Sequence, residues 1–248
     1  MCKNQMYNRT LFRPLSFFSF LLSVSFFLLI ITPQRSVRAA NVPGVPLQEL
    51  KKIQKFYNDL SSLSFDFRQL TRSNGRQRTG AGNSVFYRAS SGLPGIMRWD
   101  YSKPDTQIIL NDGNELSIYT KKDKQLIIMS ARKLQSDLTY AFFSGKRNLL
   151  DDFTPLSPDS RFMGSPTDRN LLAVKLVPKK PDGQTKAIHL WFDQQFLIRK
   201  LILEDHFETI TELTFSNIRF NALPKNSPQT MAKLVQLNLP SDTEIIRQ

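Results

Sequence analysis

A chain of 248 residues whose only cysteine is Cys2 can form no internal disulfide and no multi-thiolate metal site. Its net charge of +13 comes from 34 basic against 21 acidic residues, but Lys and Arg are scattered, with nothing denser than the pairs Lys51-Lys52, Lys121-Lys122 and Lys179-Lys180. Such a balance reads as a solvated basic face or as attraction to anionic headgroups or an acidic partner.

The first 39 residues have the order of a secretory signal peptide. Lys3, Arg9 and Arg13 precede an uncharged run from Leu15 to Ile31, Pro33 breaks the run, and Val37-Arg38-Ala39 offers small residues two apart. The run falls short of the roughly 20 residues a spanning helix needs. Cleavage after Ala39 leaves residues 40–248 as a single domain, long enough to bury a sizeable core, and exported to the periplasm, where nucleic acid is no partner. Residues 32–41 hold no Cys to carry acyl chains, so the chain is not itself a lipoprotein.

Leu47, Leu50, Ile53, Phe56 or Tyr57 and Leu60 recur at helical spacing, with Lys51, Lys52, Lys55 and Asp59 on the other side, which predicts an amphipathic helix over 47–60. At Leu63 the period changes to two. Leu63, Phe65 and Phe67 alternate with Ser64, Asp66 and Arg68, as in a strand buried on one face. Asn74-Gly75 predicts a turn and 80–88 a returning strand. Short strands follow at 96–101, 106–110, 115–120 and 125–129, joined by turns at 111–114 and 121–124. Leu134, Leu138 and Phe142 predict a second helix ending near Gly145, and Leu149, Leu150 and Phe153 a shorter third. Strands are expected again at 171–177, 187–192, 197–203 and 210–220, then a connection with Pro224 and Pro228, and a last strand at 233–239.

The sum is a mainly β, α+β fold. About ten or eleven antiparallel strands curl into an incompletely closed barrel, with the mid-chain helices as a lid over an apolar cavity.

Catalytic patterns are missing. There is no phosphate-cradling Gly-rich loop, no Gly-x-Ser-x-Gly elbow and no His-Glu-x-x-His. His189 and His206 lie in separate strands without local partners and are read as structural. Asp151-Asp152 and Glu204-Asp205 are adjacent pairs, which in a strand point apart, and are read as solvated turn or helix-end charges. The expectation is a non-enzyme with no metal and no cofactor.

Residues 92–119 carry a recognisable series: Pro94-Gly95, then Arg98-Trp99-Asp100-Tyr101, Pro104-Asp105-Thr106-Gln107-Ile108, Asp112-Gly113 and Tyr119. In that order they resemble the signature of LolA-type lipoprotein carriers. Phe65-x-Phe67-x-Gln69, Thr211 to Asn221, and Leu239-Pro240 to Ile246 are similar to further strands of that family, and only 130–185 is weakly alike. The resemblance implies a half-open antiparallel barrel closed by helices. It also implies a periplasmic chaperone that takes lipoproteins from an inner-membrane ABC transporter, shields their acyl chains as a monomer and delivers them to the outer membrane, to a receptor where one exists. The same fold could instead bind or sense another lipid or glycolipid. Phe65, Phe67, Met97, Trp99, Tyr101 and Ile118 are the candidate cavity lining, with Leu134, Leu138 and Phe142 from the lid; ordinary core packing is the other reading of each. The family places an Arg directly before the Pro of the Pro-Gly turn to latch the lid. Here Leu93 stands there, which leaves Arg88 as the latch candidate or as a solvated strand end.

Overall fold

The computed structural model describes residues 47–88, 95–134, 143, 148–165, 168–180 and 185–248; the side chains of Lys133 and Leu134 are not among them. Residues 41–248 form one compact unit. The expected helix is present as α1 (Leu47–Asp59), burying Leu50, Ile53 and Tyr57. Exposed pairs run along its other side, Lys52 to Glu49 and Lys55 to Asp59. Such surface pairs contribute only about 0.3–0.5 kcal/mol each, whereas each buried large apolar side chain contributes about 1.5–3 kcal/mol. The apolar stripe therefore holds α1 in place.

Where the period becomes two, the chain enters a long ribbon, β1 (Ser62–Ser73) and β2 (Arg76–Tyr87). Asn74 and Gly75 both have positive φ, 49° and 72°, the geometry that a two-residue hairpin turn requires. The meander continues through β3 (Ile96–Lys103), β4 (Gln107–Asn111), β5 (Glu115–Thr120) and β6 (Gln125–Ser130). A 3-10 turn at Ala131–Leu134 follows, then a four-residue helix, α2 (Leu149–Asp152), and β7 (Phe153–Leu156). The second half holds β8 (Leu172–Pro178), β9 (Thr185–Phe192), β10 (Ile198–Asp205) and β11 (Ile210–Phe220). Helix α3 (Pro228–Val235) and β12 (Glu244–Arg247) end the chain.

All twelve strands form one curled, open sheet in the order β12-β6-β5-β4-β3-β2-β1-β11-β10-β9-β8-β7. Every pairing is antiparallel except β12 with β6. Two of the twelve strands were not expected, the short edge pieces β7 and β12. The strand expected over 233–239 is corrected: this segment begins in α3, where Ser227 accepts from the Thr230 amide as N-cap and Pro228 follows. Of the expected second helix, 135–142 and 144–147 lie outside the described residues.

The register gives the sheet two faces. Leu63, Phe65 and Phe67 of β1 share the inner face with Phe86, Met97, Trp99, Leu213 and Phe215, and α1 packs there. The outer face has two covers. The C-terminal segment, through Met231, Leu234 and Leu237, lies on Tyr87, Ile96 and Leu110. Asp159 to Phe162 and Asp168 lie over β9 and β10, where Phe162 meets His189 and Asp168 pairs with Lys200. Between β2 and β3 the backbones leave no room for a side chain at Gly82, whose Cβ would stand 2.0 Å from the Asp100 carbonyl oxygen.

Candidate functional site

The inner face gathers the expected lining on adjacent strands. Phe65, Phe67, Met97 and Trp99 are buried together, Phe67 and Trp99 with ring centroids 4.6 Å apart. Tyr101 is half-buried, its ring 4.8 Å from Phe67 and its hydroxyl donating to Gln69 Oε1 at 2.8 Å. Pairing carries the same face on through Ile109 and Ile118 to Ile127, and these three are only half-buried. The inner face is thus an apolar track, densely filled at its aromatic end and looser toward β6. Leu138, Phe142 and the Leu134 side chain lie outside the described residues.

Phe143, one position beyond the expected Phe142, is the residue that the sequence reading missed. It is 3% exposed, and its ring meets Tyr57, Phe65, Phe86 and Phe215 at centroid separations of 5.2 to 5.9 Å. It fills the space between α1 and the sheet. Spacing by fours through 134, 138 and 142 pointed to its neighbour, and the adjacent phenylalanine was the available signal.

Arg88 reaches both covering elements. Its Nη1 donates to the Asn58 carbonyl oxygen at 2.5 Å, in the last turn of α1, and its Nη2 to the Phe143 carbonyl oxygen at 3.2 Å. The Arg88 amide donates to Ser61. Burial pulls the guanidinium pKa below its ordinary value, against which Asp59 acts. Its forked donors thus meet the Asn58 carbonyl, which the end of α1 leaves open, and the Phe143 carbonyl.

A second polar cluster lies on the outer face. Glu204 is 2% exposed and accepts from Arg161 and Lys186 at 2.6 Å each, so its reading as a solvated turn charge is corrected. Asp205 holds its turn by accepting from the amides of Phe207 and Thr209. His189 is 0% exposed; its Nε2 stands 3.8 Å from Asp159 and 3.9 Å from Glu204, and neither ring nitrogen has a hydrogen-bond partner among the described residues. Burial pushes the His189 pKa down to about 4, Asp159 pulling the other way. Burial also pushes the Glu204 and Asp159 carboxyls up, but the hydrogen bonds from Lys186, Arg161 and Lys175 outweigh it and hold both below the usual range. The three potential ligand atoms lie within 4.8 Å of one another. Yet three cationic side chains already answer the two carboxylates, so a metal ion would enter a site with surplus positive charge. The cluster reads as a clamp for the segment from Asp159 to Phe162.

The inner face is apolar, α1 packs on it, and the Arg88 guanidinium donates to carbonyls of both α1 and Phe143. The description "Outer membrane lipoprotein carrier protein LolA" matches residues 58–228. The chain belongs to the LolA family. An outer-membrane lipoprotein carrier protein of Nitrosomonas europaea is 25% identical over 205 residues, 82% of this chain and 91% of the relative. One from Cupriavidus pinatubonensis is 29% identical over 222 residues, 86% and 94%. Among solved structures, a LolA superfamily protein from Nitrosomonas europaea overlaps 71% of this chain and 94% of its own at 15% identity, TM-score 0.35. An uncharacterized conserved protein from Thermus thermophilus overlaps 81% and 98% at 14% identity, TM-score 0.47. The LolA family is one of non-catalytic binding and transport proteins. Among the described residues no helix is long and apolar enough to cross a membrane.

Proposed function

We propose that this LolA-family chain is an exported carrier that shelters the acyl chains of lipoproteins and moves them through the periplasm from the inner to the outer membrane. Residues 1–39 direct export, and residues 40–248 work as one domain. An ABC-type releasing transporter hands over the cargo, and an outer-membrane receptor takes it where one is present. The observation that carries the reading is the inner face: a continuous apolar track whose covering elements, α1 and Phe143, both accept from the Arg88 guanidinium.

The physical demand is simple. Each acyl methylene taken from lipid into water costs about 0.8 kcal/mol, so a lipoprotein crosses water only inside a comparable apolar surface. Phe65, Phe67, Met97, Trp99 and Tyr101 offer that surface once α1 and the Phe143 segment move aside, and Ile118 extends it. Met and aromatic side chains accommodate varied apolar shapes. Arg88 is the lid latch: closed, it holds the cover over an empty face; released, it lets acyl chains replace the cover. Nothing in this cycle calls for a catalytic group, and the energy for extraction comes from the transporter.

Depletion of the protein in its host should make lipoproteins accumulate in the inner membrane. Mass spectrometry of the lipid copurifying with the protein should find acylated polypeptide. A free glycolipid in its place, with lipoprotein sorting intact, would overturn the reading.

A further inference from the structure

We propose that Asn111 is the hydrogen-bond donor that receives the carbonyl oxygen at the head of a bound acyl chain. The inference rests on the carrier reading and deepens it, naming what the inner face holds besides hydrocarbon.

Every acyl chain is attached through a carbonyl, in an ester or an amide. Drawn into an apolar track with its chain, that oxygen leaves water and needs a donor from the protein.

Several polar side chains share the inner face and are already answered. Ser84 donates to the Arg98 carbonyl oxygen at 2.9 Å. Tyr101 donates to Gln69, Gln69 to Thr71, and Gln107 to Thr120. Asn111 differs. It ends β4, pairs with Met97 and Leu116, and so stands on the inner face two positions beyond Ile109. It is 1% exposed, and its Nδ2 has no hydrogen-bond partner among the described residues. The other buried side-chain atoms in that condition belong to His189 and Trp191, under the outer cover, and to Thr243 near the chain end.

The turn after β4 decides which branch of the Asn111 amide is which. The Gly113 amide donates to Oδ1 at 2.7 Å, and only an oxygen can accept there. The other branch is therefore the amino group, a donor with no acceptor capacity. Asp112 stiffens the turn by accepting from the Asn114 and Glu115 amides at 2.8 Å each. The side chain is thus held in one orientation while a buried donor stays unmet, which destabilises the empty protein. An acyl carbonyl removes that penalty, so the complementary defects of protein and ligand cancel. The attached chain runs over Ile109, Ile118 and Ile127, the half-buried row beside Asn111.

The test uses the protein without its first 39 residues, whose apolar run would itself bind lipid; the compact unit lies entirely beyond them. Trp191→Phe leaves Trp99, paired with Ile109, as the reporter. The ligands are a diacylglyceryl peptide and its dialkyl counterpart, with ethers in place of esters. A short-chain phosphatidylcholine below its micelle concentration, as diester and diether, makes the second pair. The diester peptide should bind roughly tenfold more tightly than the diether, the effect of one hydrogen bond. Asn111→Leu should abolish that ratio by weakening the diester alone; a residue that merely held the turn would weaken both ligands alike. A measurement on the parent needs no variant: the stretching band of an isotope-labelled ester carbonyl should lie lower when bound than in hexane.

Equal binding of diester and diether peptide, or a hexane-like band, overturns the proposal and leaves the carrier reading standing. A tenfold ratio confined to the phosphatidylcholine pair, with no binding of the peptides, keeps Asn111 as a carbonyl site and overturns the carrier reading. Failure of all four ligands to bind overturns both.

Discussion

The Arg88 guanidinium donates to the carbonyl oxygen of Asn58 at 2.5 Å, so a residue at the end of β2 closes the C-terminal turn of α1 from 30 positions away. Its second arm reaches the Phe143 carbonyl oxygen. Hydrogen bonds from a charged donor contribute about 1.5–3 kcal/mol, enough to bias a cover between attached and free without anchoring it permanently. Arg88→Leu should leave the sheet intact while amide exchange in α1 speeds up by about tenfold or more. Lipoprotein release should change with it. Arg88→Lys, keeping the charge but not the fork, should fall between. Unaltered exchange and release in Arg88→Leu would remove Arg88 from the mechanism.

The two tryptophans report on opposite faces. Trp99 lies on the inner track beside Phe65 and Phe67, while Trp191 lies under the outer cover, with the Lys200 ammonium 3.9 Å from its ring centroid. A fatty-acyl ligand on the inner face must perturb Trp99 and spare Trp191. In Trp191→Phe, emission should shift on addition of an acylated peptide; in Trp99→Phe it should not. The reverse pattern would place the ligand on the wrong face.

Much of this arrangement was legible in the residues because it rests on short-range rules. The alternation of Phe65 and Phe67, the Asn74-Gly75 turn and the α1 stripe each name their own structure. What stayed hidden depends on long-range partners. Glu204 looks like a turn charge until Arg161, 43 positions earlier, comes down on it. The strand reading of 233–239 followed alternation and passed over a local signal, the Ser227-Pro228 helix start. That helix is fixed from afar as well: Arg98 caps its far end by donating to the carbonyls of Leu234 and Gln236, and Tyr87 donates to Pro224 and accepts from the Ser227 amide. Phe143 was missed by one position because spacing gives a face but not the fit of a ring between Tyr57 and Phe215.

Gly82 is a more local matter. Its pairing with Tyr101 follows a register shift at Ala81, and any Cβ there would overlap the Asp100 carbonyl. Backbone atoms cannot yield as a flexible side chain would, so Gly82→Ala should cost about 3 kcal/mol, at the upper end for overpacking. Urea unfolding should show the loss. Gly75→Ala makes a useful contrast: its Cβ would meet nothing within 4 Å, but its φ of 72° strains any other residue, at about 1–2 kcal/mol. Equal stability for Gly82→Ala and the parent would mean that β2 and β3 are not so closely paired.

The outer clamp should make stability depend on pH in a defined direction. Burial depresses the His189 pKa to about 4, against an ordinary 6.5. Between those values the unfolded chain holds a proton that the folded chain refuses. Stability is therefore complete above the upper value and declines as pH falls toward the lower one. Asp159 and Glu204, held below the usual carboxylate range by their cations, withdraw their contribution only at still lower pH. Thermal melts of the parent should fall steadily from neutrality to about pH 4, whereas His189→Gln should flatten that stretch and keep the steeper loss beneath it. Because the clamp bears on Asp159 to Phe162 and not on α1 or Phe143, acid should loosen the outer cover before it frees the inner track. An unchanged slope in His189→Gln would show that another group takes up the proton.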